Sequence, residues 1–193
     1  INDVSVTEGD SGASSVVFTV ALSVPSSQTV TVNYTTANGT ASAGSDFDAA
    51  NGTLTFAPGE TSKTITINVL GDTADEWDET YTVNLSGAVN AGIADGQGAG
   101  SIVDDDVPTL SINDRSVTET NSSSSTISFT VSLSGPAVQP VTVHFDTQAG
   151  TAQAGVDYSG GSGTLTFTPG QTSQVITVTV YGDTLDELDE TYS

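Results

Sequence analysis

The chain contains no cysteine and no methionine, and its only basic residues are Lys63 and Arg115. Without cysteine, disulfides and thiolate metal ligation are excluded, and nothing about redox compartment can be read. Two basic residues against 24 acidic ones give a formal charge of -22. A surface of that sign is repelled by phosphate backbones and by anionic lipid, so nucleic acid and membrane surfaces are poor partners. No apolar run is long enough to span a bilayer and no signal peptide opens the chain. Direct membrane insertion is therefore not expected, and any targeting element lies outside this piece. Low lysine with abundant Thr, Ser and Gly suggests a segment of an exported protein. An acidic excess can mark disorder, but regular apolar alternation argues against it here.

What the chain does contain is a copy of itself, displaced by 111 residues. Ile1-Asn2-Asp3 returns as Ile112-Asn113-Asp114, Thr7-Glu8 as Thr118-Glu119, and Gly39-Thr40-Ala41 as Gly150-Thr151-Ala152. Asp46-Phe47 returns as Asp157-Tyr158, and GDTADEWDETY at 71–81 as GDTLDELDETY at 182–192. A fixed period of domain length signals an array of modules. The boundary is expected at Val107-Pro108, giving modules over 1–107 and 108–193, with Thr109 to Ile112 opening the second. A two-residue link containing proline leaves little slack.

Within each copy the apolar residues alternate. Val30, Val32 and Tyr34, then Ile65, Ile67 and Val69, then Tyr81, Val83 and Leu85 each put one apolar face inward at period two. Ile127, Phe129, Val131 and Leu133 do the same in the second copy, as do Val141, Val143 and Phe145, then Ile176, Val178 and Val180. Turn residues separate the runs at Asn38-Gly39, Pro58-Gly59, Pro136 and Pro169-Gly170. No window keeps a helical period. The fold class predicted is all-β: tandem seven-stranded antiparallel sandwiches, immunoglobulin- or fibronectin-like, of roughly 100 residues each. Ser193 matches Thr82, so the second sandwich is expected to lack the strands matching 83–106. Either the array continues or, less simply, a neighbouring copy donates the missing strands.

The acids recur at one spacing in loops that would converge at one end of a sandwich. Glu8, Asp46, the run Asp72 to Glu79 and the run Asp104 to Asp106 gather more carboxylates than a solvated face requires. A hard cation is the economical reason, and calcium, with six to eight oxygen ligands in flexible geometry, is the first candidate. Other residues read more plainly. Trp77 interrupts the acidic run and is expected to form an apolar lid. His144 matches Asn33 on a polar strand face and reads as solvated. Arg115, just past the joint, is positioned to pair with an acidic neighbour. No nucleophile–base set or cleft-forming insertion accompanies the acids, so an enzyme is not expected.

In order, a strand ending in Thr-Glu, GTASAGSDF, GTLTFAPGETS, GDTADEWDETY and a closing Asp-Asp-Asp resemble the Calx-beta domain, known from sodium–calcium exchangers, integrin beta-4 and large bacterial surface proteins. The resemblance covers the first copy nearly end to end and the second through Ser193. It implies a seven-stranded sandwich with calcium in loops at one end. The implied metal ligands are Glu8, Asp46, Asp72, Glu76, Glu79, Asp104, Asp105 and Asp106, with a backbone carbonyl near Ala74. Matching residues of the second copy are Glu119, Asp157, Asp183, Glu187 and Glu190. Where the exchanger pattern has consecutive acids this chain has Gly71-Asp72, so one ligand is absent and one to three ions are expected.

The functional expectation is a calcium-binding structural or adhesive repeat of an exported, extracellular or cell-surface protein. In it, calcium stiffens the array, and the partners are neighbouring repeats and other copies of the chain. The alternatives are a calcium-sensing regulatory module of a membrane protein, and a filament subunit completed by strand donation.

Overall fold

The computed structural model describes residues 1–193, and all of its regular structure is β-strand. Two compact units form, Ile1–Asp106 and Val107–Ser193. No helix is long and apolar enough to cross a membrane.

Unit 1 holds seven strands: β1 Val4–Thr7, β2 Gly12–Ala21, β3 Val30–Asn38, β4 Asn51–Phe56, β5 Ser62–Gly71, β6 Glu79–Val89 and β7 Gln97–Val103. They make two sheets, β2-β5 and β1-β7-β6-β3-β4. Period-two patterning decides what faces the core. Val16, Phe18 and Val20 of β2 are buried, as are Ile65, Ile67 and Val69 of β5, while Val17 between them is exposed. From the facing sheet come Val30, Val32, Phe56, Tyr81 and Val83. Phe47, in the β3–β4 connection, stacks on Tyr81 with centroids 4.4 Å apart, and Phe18 meets the same Tyr81 ring edge-on at 6.1 Å. Each fully buried large side chain contributes about 1.5–3 kcal/mol, so this aromatic cluster is a main anchor of the unit.

The expected antiparallel pattern has one exception: β1 runs parallel to β7, pairing Val4 with Gly100 through Thr7 with Val103. That exception positions the acids. Because β1 and β7 are parallel, their C-terminal ends, carrying Glu8 and Asp104 to Asp106, lie together. β6 is antiparallel to β7 and begins at that same end with Glu79. β3 is antiparallel to β6, so the loop leaving it, which carries Asp46, emerges there too. The connection from β5 into β6 supplies residues 72–78.

Unit 2 holds β8 Leu110–Ile112, β9 Ser125–Leu133, β10 Val141–Asp146, β11 Ser162–Phe167 and β12 Ser173–Val180. Its sheets are β12-β9-β8 and β10-β11. The segment matching β1, residues 115–118, forms no strand; β1 pairs with β7, and unit 2 has no strand at the corresponding place. Tyr158, stacked on Tyr192 at 4.1 Å, repeats the aromatic pair of unit 1.

Candidate metal centre

Two carboxylate groups form at the loop end of unit 1. Glu8, Asp104 and Asp106 bring oxygens within 4.8 Å of one another, and so do Asp46, Glu76 and Glu79. Glu8 is only 6 % exposed, an uncommon state for an acid with no cation beside it. Burial, and then the charges of Asp72, Asp104, Glu76 and Asp106, push its pKa up to about 7. Glu79 is likewise raised to about 7, by burial and by Asp46. Burial followed by Asp72, Asp46 and Asp104 raises Glu76, and burial followed by Asp10 and its neighbours in the triplet raises Asp106. In each case burial is the larger cause and the charge of neighbouring acids adds to it.

Local hydrogen bonds aim the acids. Asp46 Oδ2 accepts the Ser42 N–H at 2.7 Å, closing its own loop. Asp72 Oδ1 accepts the Ala74 N–H at 2.7 Å, an aspartate turn that folds the connection back. Asp104 Oδ1 accepts the Glu76 N–H at 3.2 Å, and the Asp104 N–H goes to Asp78 Oδ1 at 3.3 Å, tying the closing strand to the acidic run. Asp78 was not singled out from sequence, although it lies in the repeated run and its counterpart is Asp189. Asp105 turns the other way: it is exposed and accepts the Gly9 N–H at 3.0 Å, outside both groups. Asp72 lies in neither group but is close enough for its charge to act on Glu8, Glu76 and Asp106.

Gly71 is required by this geometry. A Cβ there would sit 2.8 Å from the Glu8 carbonyl oxygen and nearer still to that of Gly9. The chain therefore approaches too closely for the acid that the family pattern carries at this point. Trp77 is 61 % exposed and Leu188 90 %, which corrects the expectation of an apolar lid. Both side chains face water on the exposed acidic run. His144 is exposed on β10, and Arg115 Nε donates to the Ser128 carbonyl at 3.3 Å.

Unit 2 repeats the pattern in a more open form. Glu119, Asp183 and Glu187 converge, as do Asp157, Glu187 and Glu190, with Glu187 common to both. Glu119 Oε1 accepts the Asp183 N–H at 3.0 Å, and Asp157 Oδ2 accepts the Gln153 N–H at 2.7 Å. Glu187 and Glu190 are raised by residual burial and then by neighbouring acids, Asp183 foremost for Glu187 and Asp157 for Glu190.

The donor set in unit 1 fits a hard cation. It is all oxygen, it comes from several loops, and one Asp106 oxygen is buried with no hydrogen-bond partner. Such an orphan is costly unless a cation satisfies it. The molecule is thus a tandem of β-sandwich units with oxygen-only carboxylate clusters at their loop ends.

The Calx-beta domain model matches residues 2–102 and again 103–193, and the chain belongs to that family. Among curated proteins it is 31% identical over 184 residues to sodium/calcium exchanger 1 of Canis lupus familiaris. It is also 31% identical over 174 residues to sodium/calcium exchanger 2 of Homo sapiens. These alignments cover 85% and 79% of the chain but span only 19% and 18% of the exchangers' own lengths. Among solved structures it resembles CBD12 from CALX1.2 (28% identity, TM-score 0.51, covering 93% of this chain and 72% of that one). It also resembles the calcium binding domain CBD12 of CALX1.1 (28% identity, TM-score 0.50, covering 91% and 71%). Calcium, the cation expected from the acids, is the ion named for that domain.

These matches overturn the extracellular, secreted and adhesive expectation. The named relatives are exchangers, membrane proteins, not surface adhesins. The features that suggested export, few lysines and many Thr, Ser and Gly, are also what solvent-facing strands and tight turns need in any compartment. They carry no address. The stiffened adhesive array falls with that setting.

Proposed function

We propose that this tandem is a calcium-sensing regulatory module of a membrane protein. The observation that carries the reading is the convergence of buried Glu8 with half-buried Asp104 and Asp106, one Asp106 oxygen being buried without a hydrogen-bond partner. In unit 1 the proposed ligands are Glu8, Asp104 and Asp106 at one position and Asp46, Glu76 and Glu79 at the other, with Asp72 serving the ground between them. In unit 2 they are Glu119, Asp183 and Glu187, then Asp157, Glu187 and Glu190. The module has no catalytic role in this reading.

Two unit charges about 4 Å apart repel by about 4 kcal/mol at an effective dielectric of 20, so the metal-free end is under strain that loosens its loops. Calcium supplies the compensating charge. The chain supplies carboxylates on strand ends and on the 72–78 connection, so occupancy changes the order of that connection and of the segment following Val103. A module whose loop order follows calcium is suited to report calcium to the rest of a larger protein. The named exchangers, of which the chain spans about a fifth, support a regulatory over an adhesive setting.

Calorimetry with calcium chloride on the whole chain tests the site. Saturable heat and a raised melting temperature at millimolar calcium or below are expected, and neither appearing would sink the reading. The parent sequence tests the setting: membrane spans flanking the tandem support it, and a long uninterrupted array of such repeats opposes it.

A further inference from the structure

The copied motif Gly39-Thr40-Ala41 holds no carboxylate, yet it returns intact as Gly150-Thr151-Ala152. In unit 1 the Thr80 N–H donates to Thr40 Oγ1 at 2.8 Å, and the Ala41 N–H donates to the Thr80 carbonyl at 3.0 Å. In unit 2 the Thr191 N–H donates to Thr151 Oγ1 at 2.8 Å, and the Ala152 N–H to the Thr191 carbonyl at 3.1 Å. Both backbone groups of one residue are thereby held by a three-residue clip. The clip needs its glycine: a Cβ on Gly39 would lie 3.1 Å from the Thr80 carbonyl carbon, and one on Gly150 would lie 3.0 Å from that of Thr191.

The clipped residue sits between a carboxylate and a ring. Glu79 precedes Thr80 and converges with Asp46 and Glu76; Tyr81 follows it and stacks on Phe47, the residue after Asp46. Unit 2 repeats this with Glu190, Thr191 and Tyr192 stacked on Tyr158. Glu79 opens β6 beyond the end of β3, whose last pairing is Asn38 with Tyr81. Without the clip, that side of the strand end would lack a hydrogen-bonding partner. In unit 2 no strand lies where β7 pairs with β6, yet the distances at Thr191 match those at Thr80. The clip, the aromatic stack and the backbone pairing of Gln148 with Ser193 hold the segment without that ladder.

We propose that Thr40 and Thr151 are positioning residues for calcium ligands Glu79 and Glu190, fixing each carboxylate through the backbone of the residue after it. The proposal rests on the calcium reading above. Groups that orient a metal ligand from behind change affinity without touching the ion. The clip thus pre-forms one side of the site before an ion arrives.

The test is calcium chloride titration of the whole chain carrying Thr40→Val or Thr40→Ser, followed by calorimetry and by fluorescence of Trp77, the only tryptophan. Thr40→Val removes the acceptor and should weaken calcium binding to unit 1 by about tenfold. Thr40→Ser keeps the oxygen and should restore affinity to near that of the parent chain, with melting in chelator little changed in both. Unchanged affinity in Thr40→Val, or a loss that Thr40→Ser does not rescue, overturns the proposal. Should Thr40→Val fail to fold, Thr151→Val read at unit 2 by calorimetry decides by the same criteria. A parent chain that takes up no calcium overturns the site reading itself, and this proposal with it.

Discussion

Phe56 of unit 1 and its counterpart Phe167 of unit 2 are both fully buried, yet Glu8 is sealed while Glu119 stands open to solvent. The same contrast runs through one sheet. Val30 and Val32 are 2% and 5% exposed, whereas Val141 and Val143 at the same places are half-buried. The difference is the β6–β7 layer. Strands β2 to β5 and their copies β9 to β12 supply most of the buried apolar side chains of each core. The layer added by β6 and β7 covers the rest of that core, gives β1 its parallel partner, and brings Asp104 and Asp106 against Glu8. The shared core and the desolvated acids of unit 1 thus depend on different strands of one repeated sequence.

The largest effect should come from the part the two units share. Phe47→Ala removes a fully buried ring and should lower the stability of unit 1 by about 3–5 kcal/mol in denaturant unfolding, a typical aromatic truncation. Tyr158→Ala should damage unit 2 comparably. A negligible effect there would mean the two aromatic floors are not equivalent.

Gly71→Ala should come next. Its methyl group meets the Glu8 and Gly9 carbonyls, and such overpacking costs about 1–3 kcal/mol. Calcium affinity should fall along with stability, because the displaced backbone carries Glu8. Gly182→Ala, facing Thr120 and Ser123, should disturb unit 2 alone.

Acidity sharpens the contrast. Glu8 and Glu79 are raised from 4.5 to about 7, so between those values the folded state holds protons that the unfolded chain has released. Stability in chelator should therefore rise as pH falls from about 7 toward 4.5 and be lost again as pH climbs through 7. Calcium affinity should move the opposite way, weakening as protons compete for the same oxygens. Melting curves in chelator and in calcium at pH 5 and 8 give the check; a metal-free chain more stable at pH 8 would contradict the crowding described here.

The smallest effect distinguishes neighbours within one triplet. Asp105→Ala should shift stability by no more than about 0.5 kcal/mol, as exposed surface changes do, and should reduce calcium affinity less than Asp106→Ala. Equal losses from the two substitutions would show that diffuse charge, not placement, attracts the ion.

Much of this was legible without coordinates. Period two in Ile65, Ile67 and Val69 announces a strand with one buried face, because a β-strand turns alternate side chains to opposite sides whatever surrounds it. The recurrence of Asp72, Glu76 and Glu79 as Asp183, Glu187 and Glu190 marks the acidic loops, since a copied spacing survives as a string. Compartment was not legible: composition reflects solvent exposure and turn geometry, and both are the same wherever a sandwich folds.

The sequence alone determined the all-β class, the tandem repeat and the oxygen-only character of the site, because these depend on local alternation, period and residue type. The tertiary structure decided which acids meet. Parallel pairing of β1 with β7 brings Glu8 to the closing triplet across a sequence separation of 96 or more, and one hydrogen bond from Gly9 turns Asp105 away from its neighbours Asp104 and Asp106. Burial of Glu8, and the pKa that follows from it, exist only once β6 and β7 have closed over that end, since desolvation belongs to the assembled sheets and to no residue by itself.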